Sequence, residues 1–570
     1  MNIINTITFE KLAFFLTLIF TFYVSKIFYN SYYSPDIEKY IIYLDYFTKN
    51  GPSPALDQGV LYFFIVSIFL NFNKYLINPS NYEIIYSYSI QDANMFLYLV
   101  GILGLYKVLK TYNYKDREIY LALSIINLTP ILFAIRSTMK PEILGFSLLT
   151  WLIYFVKKYK TLKKPSYLFK SLPIICLIFT SKGSMLGMIG LFLFLYFLDE
   201  LLNLFKTNRY LLIILILSLV VLLIPIYFEN YNINNLNVLD YQPPEQYQNN
   251  APVDIIYNFD LKEFINQPTR NNHASSFIAI TLLDTFGDYF QLYWEYEYSL
   301  TNTSRKSLFL TGDFSIDYDR KEISIPIDNR FLNLEYYRIF ISVILAILFY
   351  FSVAKKIISK LDKDKKIIII SPIISALLLL IQVISGFPAQ NWDPSKGDTL
   401  KPYYYSFFLL ISISFLLVEY LKKKNFIFKF SMLIILFITH IFLIGFPKAN
   451  NSSFDNEVIY RNNHLVTCEL NNLIFSQTLF EKENINCLSN EEVFCASELF
   501  KKNEQIMVKD SSILQVKDPE RCKDLYQLGY QYVDTKISVS KTPIVSVVYF
   551  GIFLLTIFKS MFKKLSFFKK

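Results

Sequence analysis

Glycine is scarce in this sequence, 15 among 570 residues, and histidine scarcer still, with His273, His440 and His464 alone. So few imidazoles argue against histidine-centred catalysis and multi-histidine metal sites, and no Gly-rich phosphate loop, HExxH pair or nucleophile elbow is present. A cleavable signal is not expected either. The first apolar run, 12–28, is long, follows Glu10 and Lys11 and lacks a small-residue cleavage site, so it is expected to stay in place as a first membrane span. Charge is absent from 211–227, and 427–446 carries Lys429 alone. A soluble enzyme would alternate apolar and polar residues there.

What is abundant is apolar and aromatic surface: 53% of the residues are hydrophobic and 18% aromatic. A bilayer core of roughly 30 Å takes about 20 apolar residues per helix, with every backbone group paired inside its own segment. The expected fold is therefore an all-α polytopic membrane protein of about twelve transmembrane helices. They are placed near 10–29, 92–110, 119–135, 141–156, 171–181, 185–203, 210–228, 336–354, 367–385, 403–420, 427–446 and 543–559.

The net charge of +9 is not spread as a nucleic-acid patch would be; it gathers in short blocks between spans. The blocks are Lys157, Lys158, Lys160, Lys163 and Lys164; Lys355, Lys356, Lys360, Lys363, Lys365 and Lys366; Lys422 to Lys424; and Lys563, Lys564, Lys569 and Lys570. Short basic loops mark the cytoplasmic side, and a start inside puts every block there. Keeping that parity makes 59–72 an interfacial helix rather than a span, and 277–290, with Asp284 and Asp288, a surface segment. Asp284 and Asp288 would share a helix face, either to position a ligand or as a solvated acidic face. Three large pieces then lie outside, 30–90, 229–335 and 447–541, so the domains read as a transmembrane unit 1–446, a loop domain 447–541 and a last helix with basic tail, 542–570. Recognition or chemistry is expected on that outer side.

Four of the five cysteines, Cys468, Cys487, Cys495 and Cys522, fall in the last outer loop, and Cys176 falls in a span. An even number in a non-cytoplasmic loop suggests two disulfides with three pairings open; zinc is the rival reading, although no close CxxC pair occurs.

Carboxylates and cations at the outer face remain as the carriers of chemistry. In SPDIEKYIIYLDYFTKNGPSPALDQGVLYFFIVSIF (34–69), Ser34 can cap and Pro35 suits the first helical position. Asp36 and Glu38 then fall in the first turn, where the helix dipole favours them. The other reading makes Asp36, at the mouth of the bundle and ahead of Tyr40 and Tyr43, a general base toward an outer substrate. Arg136, Lys140, Lys182 and Lys401 sit at outer span ends, as anion-binding groups or as side chains snorkelling to the interface. Lys182, between two apolar runs with almost no loop, needs a purpose or a partner; Glu142 could be the partner of Arg136 or Lys140.

A first span followed by an outer PD(x)nY(x)nG loop and an apolar, surface-lying helix resembles the GT-C superfamily of membrane glycosyltransferases, of the mannosyltransferase and aminoarabinose-transferase kind. LTPILFAIRSTMKPEILGFSLLTWLIYF (128–155) is similar to that family's third-to-fourth helix hairpin, and IFTSKGSMLGM (178–188) places Lys182 at the next outer turn. DTFGDYF (284–290) followed by Trp294, and GDTLKPYYYSFFLL (397–410), resemble its later outer motifs. The likeness covers roughly 10–420 and implies a polyprenyl-phosphate-linked sugar as donor and an essential Asp at Asp36. It implies an inverting transfer to an outer acceptor, at the extracytoplasmic face of a bacterial inner (plasma) membrane. Lys182, Lys140, Arg136 and Lys401 would hold the leaving phosphate. Asp36 and Glu38 are spread rather than doubled, so a divalent metal is left open, and no other cofactor is implied. Membrane lipid is a partner and nucleic acid is not. The rivals are a transporter or flippase, a non-catalytic scaffold, and a polysaccharide polymerase or ligase of the cell envelope.

Overall fold

Prolines set several helix starts, because a missing N–H costs nothing in a first turn. Pro130 opens one helix, Pro402 a 3-10 turn, and Pro141, Pro165 and Pro543 each stand just before a helix. In the computed structural model the described residues are 8–28, 37–48, 58–76, 82–234, 251–266, 275–286, 329–385, 400–444 apart from 423, and 541–565, with six short strands and a few isolated positions. Asp36, Asp288, Trp294, Trp392, the four loop cysteines and the side chain of Glu38 lie outside them.

The helices are α1 (Phe9–Phe28), α2 (Ile37–Thr48), α3 (Val60–Asn73), α4 (Tyr82–Thr111), α5 (Asp116–Asn127), α6 (Pro130–Ser137), α7 (Glu142–Leu162), α8 (Ser166–Phe179), α9 (Gly183–Thr207) and α10 (Arg209–Asn234). There follow α11 (Leu261–Asn266), α12 (Phe277–Asp284), α13 (Asn329–Ile358), α14 (Lys363–Ser385), α15 (Ser406–Leu421), α16 (Phe426–Ile444) and α17 (Ile544–Leu565). Strands β1 (Tyr298–Ser299), β2 (Ser315–Asp317) and β3 (Glu322–Ser324) pair antiparallel in the order β1-β3-β2. Strands β4 (Gln505–Lys509), β5 (Ser512–Val516) and β6 (Gln531–Asp534) pair antiparallel in the order β5-β4-β6, Met507 standing opposite Leu514 and Tyr532.

Among the described residues six helical segments are long and apolar enough to cross a membrane: Ile85–Thr111, Met185–Thr207, Arg209–Asn234, Ile339–Ile358, Lys363–Ser385 and Pro402–Leu421. These fit an integral membrane protein, and α10 turns Ile213, Leu217, Val221 and Ile224 outward as a lipid-facing helix would. The stretch expected as one span at 119–135 is two helices, α5 and α6, parted at Leu128 and Thr129. Pro130 is the cause: it disfavours helical backbone in the residue before it and removes an N–H. The segment expected to lie along the surface, α3, is instead enclosed, with ten of its fourteen residues buried. Because it is apolar all round, burial on nearly every side suits it better than a half-wet interface.

At the centre, α4 and α7 approach closely. A Cβ on Gly101 would come within 2.4 Å of the Phe146 ring, and one on Gly104 within 2.4 Å of the Thr150 hydroxyl. The contact is locked by Trp151, fully buried, whose Nε1 donates to the Val100 carbonyl at 2.9 Å. Small residues letting backbones meet are the usual means of helix association where no water drives it.

Ion pairs gather the first two lysine blocks at one end of the bundle. Asp364 holds both Lys157 (2.7 Å) and Lys160, Glu200 holds Lys163 (2.6 Å), Asp199 holds Lys363 (2.6 Å) and Glu419 holds Lys365 (3.0 Å). The C-terminal ends of α7, α9 and α15 and the start of α14 therefore share that end. At the other end of α10, Glu229 accepts from the Val545 N–H (2.6 Å), the Ser546 N–H (2.7 Å) and the Ser546 hydroxyl (2.6 Å), capping α17. Three donors on one carboxylate make Glu229→Ala an informative change: a loss of about 2 kcal/mol is expected. Faster proteolysis ahead of residue 544, with the rest of the bundle intact, is the measurement that checks it.

Candidate functional site

The end of the bundle away from the lysine blocks carries the other charged cluster. Its first piece is the turn between α6 and α7. Asn94, within the apolar α4, points its amide at the end of α6 and donates to the carbonyls of Arg136 (2.9 Å) and Thr138 (2.8 Å). Its Oδ1 accepts from the Tyr62 hydroxyl at 2.8 Å, and that hydroxyl accepts the Lys140 N–H at 3.1 Å. Pro141 then starts α7 with Glu142 in its first turn, where the helix dipole favours a carboxylate.

The second piece is the turn between α8 and α9. Lys182 stands in extended backbone immediately before α9 and forms an antiparallel bridge with Gln58. The Gly59 N–H donates to the Ser181 carbonyl at 2.6 Å. A Cβ on Gly59 would lie 2.0 Å from the Thr180 carbonyl oxygen and 2.6 Å from Ser181 Cα, so only glycine permits this approach.

The two pieces meet in an ion pair. Lys182 Nζ is 2.6 Å from Glu142 Oε1, with Lys182 7% exposed and Glu142 fully buried. Glu142 Oε2 is buried without a hydrogen-bond partner among the described residues. A third piece, the 3-10 turn Pro402–Tyr405, lays the Tyr404 ring between two lysines, 4.5 Å from Lys182 Nζ and 5.6 Å from Lys401 Nζ. Lys140 Nζ sits 5.0 Å from the ring of Tyr40, on the helix that begins one residue after Asp36.

No match for this chain exists among protein families, curated proteins or solved structures.

The site thus rests on its own geometry, which corrects three readings of the sequence. Arg136, Lys140 and Lys182 do not snorkel to an interface, since they are 1%, 4% and 7% exposed. A buried ion needs pairing or hydrogen bonds to offset lost hydration; Lys182 has its pair in Glu142 at the start of α7, and Lys140 Nζ lies against the Tyr40 ring. Glu142 pairs with Lys182 rather than with its hairpin neighbours, because the first turn of α7 faces the start of α9. Lys401 is half-buried and joins the cluster through Tyr404. Asp284 is buried at the end of α12, which excludes a solvated acidic face for it.

Sequence reasoning missed Tyr62, Asn94 and Tyr404. Asn94 had a usable signal: an amide inside an apolar run must find partners. Among the described residues no three His, Cys, Asp or Glu side chains gather as a metal site; the only free cysteine recorded among them is the buried Cys176.

Proposed function

We propose that the chain is an inverting glycosyltransferase of GT-C type, moving a sugar from a polyprenyl-phosphate donor to an acceptor on the extracytoplasmic side of a bacterial inner membrane. The observation that carries this reading is the buried Lys182–Glu142 pair, with Tyr404 against both Lys182 and Lys401 and the buried turn of Arg136 and Lys140 leading into Glu142, at the opposite end of α7 from its lysine block. The donor's tail stays in lipid while its phosphate needs cations at the membrane boundary, and a cluster of lysines at one end of the apolar helices answers that need. The contact of Tyr40 with Lys140 also supports it, since Tyr40 stands four residues after Asp36 in the sequence.

In the proposed step Asp36 takes the proton of an acceptor hydroxyl as that oxygen attacks the anomeric carbon. The bond from that carbon to the phosphate oxygen breaks, and the electron pair leaves with the polyprenyl phosphate. Lys182, with Lys140 or Lys401, stabilises the charge on the leaving group. Around this centre we place about twelve spans, with the paired lysine ends in the cytoplasm. Asp36 with Glu38 is where a divalent cation would be sought.

Asp36→Asn tests the chemistry: transfer from a polyprenyl-phosphate sugar, measured by radiolabel, is expected to fall about a hundredfold. Donor binding should persist. Undiminished transfer by the Asn protein would end the assignment of Asp36 as base, and movement of an unmodified lipid by the protein without any transfer would favour a flippase.

A further inference from the structure

The two turns that carry the buried cations come from distant parts of the chain, yet one short stretch touches both. We propose that segment 58–62, at the entry to α3, is the element that sets the spacing of Lys140 and Lys182, with Tyr62 and Asn234 as positioning residues. The proposal deepens the functional reading above, for it matters to activity only if both lysines address one anionic group.

At one end of the segment, Gln58 bridges to the backbone of Lys182 and the Gly59 N–H donates to Ser181 at 2.6 Å. At its other end, the Tyr62 hydroxyl accepts from the N–H of Lys140 at 3.1 Å and donates at 2.8 Å to Asn94, which grips the carbonyls of Arg136 and Thr138. The contacts fall on the backbones of the residues that carry the charges, so a shift of the segment moves both cations.

The segment is itself held from a third direction, the end of α10. Asn234 Nδ2 donates to the Gln58 carbonyl at 2.9 Å, and the Tyr43 hydroxyl lies 2.9 Å from that carbonyl and 2.7 Å from Asn234 Oδ1. The Val60 N–H donates to Asn230 Oδ1 at 3.1 Å. Gln58, Tyr62, Asn94, Asn230 and Asn234 are all buried, so these hydrogen bonds compete with little water. Tyr43 lies on α2, the helix that follows Asp36, so the same knot ties the first outer helix to the cation turns.

The test uses the full chain in detergent with polyprenyl monophosphate, without sugar, as the probe. Tyr62→Phe and Asn234→Ala each remove two buried hydrogen bonds and should each weaken its binding by about tenfold. Tyr112→Phe is the control. It removes a buried hydroxyl pairing with Tyr196 (2.9 Å) at the lysine-block end and should bind like the parent. Hydrogen exchange adds a readout independent of the lipid: the Lys140 amide should exchange faster in Tyr62→Phe and the Gly59 amide faster in Asn234→Ala. Parent-like phosphate binding in either positioning variant, or equal weakening in Tyr112→Phe, overturns the proposal. If Lys182→Ala also binds the phosphate like the parent, it is the functional reading that fails; if Lys182→Ala alone loses binding, that reading stands and the positioning role does not.

Discussion

Lys182→Ala is expected to lower stability by about 4 kcal/mol and to slow sugar transfer by about a thousandfold. The stability loss follows from burial. Glu142 is fully enclosed, and removing the ammonium 2.6 Å from its Oε1 leaves a buried carboxylate without its ion-pair partner. The loss of transfer has a different origin, in the leaving phosphate. A double variant separates the two. Lys182→Met with Glu142→Leu removes both charges and fills similar volume, a change that is often neutral or stabilising for a buried pair. It should unfold within about 1 kcal/mol of the parent in detergent while transfer stays lost. Recovery of transfer in the double variant would mean that Lys182 serves the fold and not the reaction.

Gly59→Ala is the second large effect. The backbone there, φ −71° and ψ 140°, suits any residue, so conformational freedom is not the issue. Space is: the new methyl would lie 2.0 Å from the Thr180 carbonyl oxygen and 2.7 Å from that of Ser181. Both obstacles are backbone, and α8, α9 and α3 hold them from three sides, so the chain must separate there. A cost of about 3 kcal/mol is expected, with the Lys182 turn displaced and transfer reduced as a consequence. Gly187→Ala and Gly190→Ala provide the comparison. Nothing stands within 4 Å of a Cβ at either, and both lie inside α9, where alanine is the better helix former. Thermal unfolding of the three variants side by side checks the contrast; equal stability of all three would show that the 58–59 strand does not press on 180–182.

Much of the site was readable residue by residue. Lys182 stood out because a lysine between two apolar runs lacks solvent, and Arg136, Lys140 and Lys401 because they end such runs. Glu142 was legible as someone's partner but not as whose, since its hairpin neighbours are closer in sequence than Lys182, forty positions away. Tyr404 gave no warning among three consecutive tyrosines, 403–405; which of the three rings meets the lysines depends on the 3-10 turn that carries them. The enclosure of α3 was misjudged because parity along the chain distinguishes crossing from not crossing, and says nothing of whether a non-crossing helix is covered by its neighbours.

The amino-acid order alone determined the run of long apolar helices, the short basic blocks between them, the scarcity of histidine and the positions of the cations at helix ends. These are properties of neighbouring residues, set by the 1.5 Å rise of a helix and by the aversion of charge to hydrocarbon. Tertiary packing decided that the first two blocks share one end through Asp364, Asp199, Glu200 and Glu419. It decided that Glu142 belongs to Lys182, and that residues 58–62 bind two distant turns together. Such pairings join residues tens to hundreds of positions apart, and a buried charge or amide takes whichever partner the packed helices bring within about 3 Å, because inside the bundle there is no water to take its place.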